Sequence, residues 1–253
     1  MNIHIFDHQH ELDQAAASLI IDTVRGTAQP VLGLATGSTP TGIYQALLHQ
    51  FKSGAVSFKH ATTFNLDEYV GLPPEHDQSY AYYMNTRFFD HIDIAREQVH
   101  LPDGMADDLE AECRQYDRML AAAPVDLQLL GIGHNGHIGF NEPAQALRSG
   151  THVVQLQEET LQANARFFER SADVPQRAIT MGIGSILRAK SILLVVRGAD
   201  KAAIVREALT GPITTSCPAS LLQTHAAVTV LLDRAAGKEL QDHDLSSPYL
   251  AYS

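Results

Sequence analysis

The sequence predicts an α/β fold: a single Rossmann-like three-layer domain, in which a mostly parallel sheet carries helices on both faces. Three observations support this prediction. Short apolar runs typical of buried strands alternate with helical patterns along the whole chain. The chain has 253 residues, 45% of them hydrophobic, which is enough to fill the core of one large domain. No linker, repeat or change of composition divides it, so residues 1–253 are predicted to form one domain.

The predicted strands are short runs rich in Val, Ile, Leu and Phe. The first, at residues 1–6, alternates apolar and polar positions, whereas the run at residues 31–35 is apolar and predicts a buried strand. Further strands are predicted at residues 61–64, 126–130, 152–156, 178–181, 191–197 and 227–233.

The predicted helices have apolar residues three or four positions apart. In the first, at residues 12–24, Leu12, Leu19 and Val24 belong to this pattern, and Gly26 follows as a stop. The aromatic-rich segment 80–89 is interpreted as a helix that packs into the core. Further helices are predicted at residues 43–51, 107–122 with Asp107 as the cap, 158–169, 201–209 and 218–222.

A loop of glycine and hydroxyl residues, at positions 36–42, joins a predicted strand to a predicted helix. Pro40 suits the first helical position, and Ser38 or Thr39 suits the N-cap. Free N–H groups and the helix dipole both favour negative charge at such a place, so the loop is a candidate anion site. It matches neither the P-loop nor the dinucleotide pattern. The alternative is an ordinary capped turn between a strand and a helix.

Two carboxylates, Asp67 and Glu68, follow the strand predicted at residues 61–64. Adjacent carboxylates would repel each other if both were buried and ionised. We therefore expect one of them to point into a cleft and the other into solvent.

The segment 131–142 reads G-I-G-H-N-G-H-I-G-F-N-E and follows the apolar run at residues 127–130. Its glycines suit a backbone that takes positive φ or approaches a ligand closely. Its histidines, asparagines and glutamate can transfer protons or form hydrogen bonds near neutral pH. Open α/β sheets place their sites in loops of this kind, at the ends of strands. The alternative is a polar surface turn with incidental histidines.

Composition excludes several classes of partner. The net charge of −11 argues against a general nucleic-acid or anionic-membrane binder, although a local cluster of cations could still hold a small anion. Cys113 and Cys217 have no metal-type spacing, and the N-terminus lacks a secretory apolar segment, so a reducing cytoplasm is expected. No apolar run approaches membrane-spanning length.

Six segments together resemble the glucosamine-6-phosphate deaminase family, also called the glucosamine/galactosamine-6-phosphate isomerase family, in motif order and spacing. They are L-G-L-A-T-G-S-T-P at 32–40, F-N-L-D-E-Y-V-G-L at 64–72, G-I-G-H-N-G-H-I-G-F-N-E-P at 131–143, A-R-F-F at 165–168, T-M-G-I-G at 180–184 and G-A-D-K-A at 198–202. The resemblance covers nearly the whole chain. It implies conversion of glucosamine 6-phosphate to fructose 6-phosphate and ammonia, without a metal or an organic cofactor.

The resemblance also implies catalytic roles for four residues. His137 would shuttle a proton between the anomeric hydroxyl and the ring oxygen, because imidazole both accepts and donates near neutral pH. Asn135 and Glu142 would be its partners, with Glu142 orienting the ring. Asp67 would be the base that removes the proton at C2 and returns it at C1.

The phosphate of the substrate would be held by a loop and two cations. Guanidinium suits forked contact with phosphate, while an ammonium acts as a point charge. The implied residues are Thr36, Gly37, Ser38, Thr39, Arg166 and Lys201. The segment 158–181 is a candidate mobile lid that would carry Arg166 over the substrate. The alternatives are that Arg166 pairs with a glutamate of its own helix and that Lys201 is only a solvated cation.

Two features depart from the family pattern. Asn135 stands where some members carry Asp, so fewer negative charges would surround His137. Allosteric members carry basic residues in the segment after the catalytic glutamate, whereas this chain has His152 and Val154 there. We therefore predict no activation by N-acetylglucosamine 6-phosphate. Members of the family range from monomers to hexamers, and the sequence leaves the oligomeric state open.

Three other functions remain as alternatives. A 6-phosphogluconolactonase would share the anion loop but would leave the carboxylates at residues 67–68 without a clear role. A sugar-phosphate sensor would not need acid–base residues. A metal hydrolase could be drawn with His134, His137 and Glu142 as ligands, but H-x-x-H on a glycine loop is not the helical spacing of zincins. No role follows from the sequence for Glu68, Tyr69 or His134.

Overall fold

Ten strands and six helices make up the fold, in a computed structural model that describes residues 1–158, 161, 168, 170 and 173–241. The strands are β1 (Asn2–Phe6), β2 (Val31–Leu34), β3 (Thr62–Asn65), β4 (Asp67–Tyr69), β5 (Val99–His100), β6 (Leu127–Leu130), β7 (His152–Gln155), β8 (Arg177–Thr180), β9 (Ser191–Val196) and β10 (Val228–Asp233). The helices are α1 (Gln9–Gly26), α2 (Thr41–Lys52), α3 (Tyr80–Arg87), α4 (Leu109–Ala122), α5 (Ile183–Leu187) and α6 (Ala202–Thr210). Short 3₁₀ turns lie at Phe89–His91, Arg96–Gln98, Ala199–Lys201 and Pro218–Thr224.

Seven parallel strands form the central sheet, in the order β1-β10-β9-β6-β2-β3-β5. Every residue of β2 and β6 is buried, as expected for strands covered by helices on both faces. The α/β fold with a mostly parallel sheet is therefore confirmed. Among the described helices, none is long and apolar enough to span a bilayer.

The order of the strands reverses between β6 and β2. From β2 the chain proceeds outward through β3 to β5, whereas from β6 it proceeds the other way through β9 and β10. Ligands of open α/β sheets bind in the crevice beyond the carboxyl ends of the strands at such a reversal. The loops that follow β2 and β6 therefore flank the expected binding crevice.

A second, three-stranded antiparallel sheet in the order β4-β8-β7 was not predicted. Leu66, which follows β3, still pairs with β2, because Leu66 N donates to Leu34 O at 3.1 Å. The chain then leaves the central sheet and continues as β4. Met181 N, just after β8, donates to Leu66 O at 2.7 Å. The segment Asp67–Tyr69 has too few residues and too polar a composition to signal a strand on its own.

Two predicted helix starts are wrong. Pro40 occupies the N-cap of α2 and not its first helical position, and no side chain caps this helix, because the chain turns earlier, at Gly37 with φ +93°. Asp108, not Asp107, caps α4, since Asp108 Oδ1 accepts from Ala111 N at 2.9 Å. The segment predicted as a helix at residues 218–222 forms the 3₁₀ turn Pro218–Thr224.

Part of one predicted segment lies outside the described residues. The helix predicted at residues 158–169 and the lid predicted at about 158–181 include positions 159–160, 162–167, 169 and 171–172, which the structure does not describe. Arg166 is among these positions. The final part of the proposed lid, residues 177–180, is strand β8 of the second sheet.

Candidate active site

The loop after β6 is tightly folded on itself and places His137 at the crevice. Gly133 N donates to His137 O at 2.9 Å, and Gly136 N donates to Gly133 O at 3.1 Å. Gly136 has φ +84°, a conformation that a residue with a side chain rarely adopts. The His137 ring lies directly against Gly133, which leaves no room for a Cβ there.

Hydrogen bonds join His137, Asn135 and Glu142 into one group. His137 Nδ1 lies 3.1 Å from Glu142 Oε2, and Asn135 Nδ2 donates to the same oxygen at 2.5 Å. Asn135 Oδ1 in turn accepts from His137 N at 3.2 Å. The Glu142 side chain is 5% exposed and that of His137 is 22% exposed. The carboxylate therefore orients the imidazole, which keeps Nε2 available for a ligand.

Asp67 is the first residue of β4 and lies beside the same loop. Its partner across the second sheet is Thr180, whose hydroxyl accepts from Phe140 N at 3.0 Å. A Cβ at Gly139, two residues after His137, would lie 3.6 Å from Asp67 Oδ2. Asp67 is 7% exposed, and burial, followed by the nearby charge of Glu68, raises the pKa of its carboxyl to about 8. The structure thus brings a buried carboxyl and an imidazole to one loop.

Glu68 is buried as well, so the expectation that one of the two carboxylates would face solvent is wrong. Its side chain accepts three backbone hydrogen bonds, from Tyr69 N at 2.8 Å, Tyr80 N at 2.9 Å and Ala81 N at 2.8 Å. Tyr80 and Ala81 are the first two residues of α3, whose N-terminal N–H groups have no partner within the helix. The carboxylate satisfies these groups and complements the helix dipole, which offsets part of the cost of its burial. Burial still raises the pKa of the Glu68 carboxyl, and the backbone hydrogen bonds only oppose that rise.

The glycine and hydroxyl loop after β2 is held in place from α3. Tyr83 OH donates to Gly37 O at 2.7 Å, and the same oxygen accepts from Thr41 Oγ1 at 3.3 Å. Ser38 is exposed, and a Cβ at Gly131 would lie 3.9 Å from Thr39 Oγ1. The candidate anion loop therefore adjoins the first residue of the loop that carries His137.

Lys201 ends the 3₁₀ turn that follows β9, and it is half-buried. Burial lowers the pKa of its ammonium group. The turn is linked to the loop after β6, because His134 Nε2 lies 2.6 Å from Asp200 Oδ2. His134 and Asp200 are both largely exposed, so this link contributes little to stability. Among the predicted phosphate-binding residues, only Arg166 lies outside the described residues.

The rings of Tyr69, Tyr80 and Phe140 pack against one another, and this cluster was not predicted from the sequence. The rings of Tyr80 and Phe140 are stacked at 6.2 Å, and the ring of Tyr69 lies 4.7 Å from that of Tyr80. Tyr80 OH donates to Tyr69 OH at 3.2 Å. The aromatic segment was interpreted only as core, yet the first residue of α3 hydrogen-bonds Tyr69 of β4. The signal available in the sequence was a tyrosine directly after the helix cap Ser79.

Within the described residues, no group of three or more His, Cys, Asp or Glu side chains is arranged to hold a metal ion. His134, which could have been a ligand together with His137 and Glu142, faces Asp200 instead.

Comparison with known proteins gives close matches over nearly the whole chain. It is 54% identical over 239 residues to the glucosamine-6-phosphate deaminase of Bacillus velezensis, covering 94% of this chain and 99% of that protein. It is 47% identical over 246 residues to that of Thermoanaerobacter pseudethanolicus, covering 97% of each. A solved structure described as a monomeric glucosamine-6-phosphate deaminase superposes with a TM-score of 0.91 and 49% identity, over 94% of this chain and 99% of that chain.

Solved structures with lower sequence identity show a likeness of fold. A 6-phosphogluconolactonase from Leishmania guyanensis superposes with a TM-score of 0.71 at 21% identity, over 95% of this chain and 98% of that chain. Residues 7–231 match the family described as glucosamine-6-phosphate isomerases/6-phosphogluconolactonase. With its relatives and its fold in agreement, the chain belongs to this family of glucosamine-6-phosphate isomerases and 6-phosphogluconolactonases.

Proposed function

We propose that this enzyme is a glucosamine-6-phosphate deaminase, which converts glucosamine 6-phosphate and water to fructose 6-phosphate and ammonia in amino-sugar catabolism. The observation that carries this proposal is the buried Asp67 carboxyl beside the loop on which Glu142 orients His137. Isomerisation next to a carbonyl needs such a base, whereas hydrolysis of a lactone does not. The names of the relatives that share half of the sequence support the same activity.

His137 opens the sugar ring. Its Nε2 accepts the proton of the anomeric hydroxyl and delivers it to the ring oxygen, so that the C1–O5 bond breaks and C1 becomes an aldehyde. Glu142, 3.1 Å from Nδ1, stabilises the imidazolium that forms between the two transfers. Asn135 donates to the same carboxylate oxygen and fixes its position.

Asp67 moves a proton from C2 to C1. Removal of the C2 proton, with transfer of one proton of the ammonium group to the C1 oxygen, gives an enolamine. Return of the C2 proton to C1 then gives an iminium group at C2 and a hydroxymethyl group at C1. Addition of water to C2 then expels ammonia and leaves the ketose, which balances the reaction without any redox change. A base whose pKa lies near 8 suits this task, since it is partly ionised at neutral pH and strong enough to take the proton.

The phosphate of the substrate binds at the N-terminus of α2. The residues assigned to it are Thr36, Gly37, Ser38 and Thr39, with Lys201 as a cation and Arg166 as a second cation by resemblance alone. Free N–H groups at the N-terminus of a helix favour an anion at this place. An acidic protein can hold a phosphosugar in this way if its cations gather at one point.

Further features are proposed with this activity. The chain acts as one domain of residues 1–253 with a lid at about 158–181, it works in the cytoplasm, and it needs no metal or organic cofactor. Its oligomeric state is left to measurement by light scattering.

The activity is tested by incubating the purified protein with glucosamine 6-phosphate in the presence of EDTA. We expect stoichiometric release of ammonia and fructose 6-phosphate. The matched control is Asp67→Asn, which keeps the shape of the side chain but cannot act as the base. Hydrolysis of 6-phosphogluconolactone without ammonia release from the amino sugar would contradict the proposal, and so would loss of activity in EDTA that zinc or magnesium restores.

A further inference from the structure

A buried ion pair lies behind the anion loop and takes no part in the steps described above. Arg197 Nη2 donates to Asp13 Oδ1, and the two side chains are 14% and 10% exposed. Arg197 Nε is buried and has no hydrogen-bond partner among the described residues. A pair with this unused donor is not optimised as a structural clamp, because each unsatisfied buried group costs free energy.

The carboxylate of the pair lies against the first turn of α2. Asp13 reaches from α1 to Gly42, the second residue of α2, and leaves no room for a Cβ at that position. The carboxylate therefore places a negative charge beside the helix terminus that would attract a phosphate. An unpaired Asp13 would oppose the binding of an anion in the loop 36–39.

The guanidinium of the pair comes from the other side of the crevice. Arg197 directly follows β9 and precedes Gly198, which has φ +96° and donates its N–H to Asp233 Oδ2 at 3.0 Å. The turn that ends in Lys201 begins immediately afterwards. The pair thus connects the two elements that flank the proposed phosphate position, the first turn of α2 and the turn of Lys201.

We propose that Arg197 neutralises Asp13 and thereby keeps the N-terminus of α2 attractive to the phosphate group, which makes Arg197 a positioning residue for phosphosugar binding. This inference rests on the proposed function, since it takes the loop 36–39 as the phosphate site. In this role the pair strengthens the binding of the substrate and of the transition state equally, because the phosphate group does not react. Its removal changes KM and leaves kcat nearly unchanged.

An electrostatic role and a structural role predict opposite patterns. If the pair only joins α1 to β9, removing either partner loosens the same contact, so both single variants weaken phosphate binding alike. Burial raises the pKa of Asp13 while Arg197 and then His10 lower it, so the comparison is made at pH 8, where ionisation of the carboxyl is favoured. If the pair controls charge, Arg197→Met leaves an unpaired carboxylate at the helix terminus and weakens binding, whereas Asp13→Asn frees a positive charge and strengthens it. The double variant then returns close to the original affinity.

The experiment measures the binding of inorganic phosphate by calorimetry at pH 8 and low salt, for the whole protein and its variants. For Arg197→Met we expect an affinity about tenfold weaker, for Asp13→Asn an affinity about threefold stronger, and for the double variant a value within about threefold of the original. Arg197→Lys, which keeps the charge, should bind nearly as well as the original protein. The differences should shrink at high salt, which screens charge but not packing.

Steady-state kinetics with glucosamine 6-phosphate supply the second readout, in which KM should follow phosphate affinity while kcat stays within about twofold. Weaker binding in both single variants, or unchanged binding in Arg197→Met, would overturn the inference, as would absence of phosphate binding by the original protein. Thermal unfolding identifies any variant that fails to fold. If a single variant fails, the phosphate affinities of the double variant and of Arg197→Lys still distinguish the electrostatic role from the structural role. Because calorimetry needs no turnover, phosphate binding without ammonia release would count against the proposed function alone.

Discussion

Asp67 and Glu68 are adjacent in the sequence, and both of their carboxyl groups are buried, with residue exposures of 7% and 3%. The two carboxyl groups have different surroundings. Glu68 accepts three backbone N–H groups, two of them from the start of α3. Asp67 lies beside the loop of His137, where burial and the neighbouring charge raise its pKa to about 8. Burial raises the pKa of Glu68 as well, but its backbone hydrogen bonds oppose that rise, whereas both causes that act on Asp67 raise its pKa.

Replacing Asp67 with Asn should abolish turnover and stabilise the protein at neutral pH. Loss of a positioned base typically lowers the rate about 10²- to 10⁴-fold. The folded pKa is raised above its unfolded value, so between about pH 4 and pH 8 the unfolded chain ionises first and stability falls as pH rises. Asn removes this loss, which near pH 7 amounts to at most about 4 kcal/mol.

The measurement is thermal unfolding of both proteins at pH 5, 7 and 9. The advantage of Asp67→Asn should grow from pH 5 to pH 9, while its affinity for phosphate stays nearly unchanged. Equal differences in Tm at all three pH values would show that Asp67 is not strongly perturbed.

Replacing Glu68 with Gln should move the acidic limb of the kcat/KM profile to lower pH. The Asp67 carboxyl must be ionised to act as the proposed base, and after burial the charge of Glu68 is the second cause that raises its pKa. Tyr80 and Tyr116 also face Asp67, but they are neutral throughout this range because burial raises their pKa values further. Removing the like charge should shift the limb by roughly one pH unit.

The matched control is Glu97→Gln, which removes an exposed carboxylate from the 3₁₀ turn Arg96–Gln98. Its profile should coincide with that of the unmodified enzyme. A Glu68→Gln enzyme that loses activity equally at every pH would indicate that Glu68 only holds α3 in place.

Most of the central sheet could be predicted because β2, β6, β9 and β10 are runs rich in apolar residues that end at a glycine or polar loop. The edge strand β5 was missed, because two residues give no pattern. Such runs are local in the sequence, and they also located the anion loop and the loop of His137. The second sheet could not be predicted in this way, because β4 consists of Asp67–Tyr69 and its stability comes from pairing with Arg177–Thr180, far along the chain. Periodicity carries no information about a strand of this length.

The relationships missed in the site are those between distant segments. One of Asp67 and Glu68 was expected to point into solvent, and only the position of α3 shows that the Glu68 carboxylate has backbone partners. Asp13 and Arg197 are 184 positions apart, and nothing in either local sequence indicates that they pair. Tyr80 belongs to a helix whose later aromatic neighbour Phe88 is fully buried, so its separate role beside Tyr69 was hidden.

Replacing Gly133 with Ala should lower kcat through the orientation of His137. The imidazole occupies the position that a Cβ at Gly133 would take, so the ring must move away from its contact with Glu142. We expect kcat to fall at least about tenfold and stability to fall by about 1–3 kcal/mol, as for other overpacked sites. Steady-state kinetics and chemical denaturation measure the two effects.

The matched control is Gly26→Ala at the end of α1, where a Cβ would meet no atom within 4 Å. This variant should keep full activity and the same or slightly higher stability. If Gly133→Ala kept its kcat, the position of the His137 ring would not limit the reaction.

N-acetylglucosamine 6-phosphate should not activate this enzyme, because the strand β7 offers it no cation. His152 is 9% exposed, its Nδ1 lies 3.0 Å from Gly150 O, and burial lowers the pKa of the imidazole, so the ring is neutral at pH 7. The preceding residue, Thr151, is held by Asp117, whose carboxylate accepts from both Thr151 N and Thr151 Oγ1. A neutral, buried ring beside a fixed carboxylate disfavours a phosphate.

The test is a rate curve against glucosamine 6-phosphate at pH 7, recorded with and without the acetylated sugar. We expect a hyperbolic curve in both cases, with at most competitive inhibition from occupation of the active site itself. His152→Ala should leave this behaviour unchanged, which separates the role of the ring from its contribution to folding. A sigmoidal curve that the acetylated sugar makes hyperbolic, or a lower KM in its presence, would show that another group in β7 or its neighbours binds the activator.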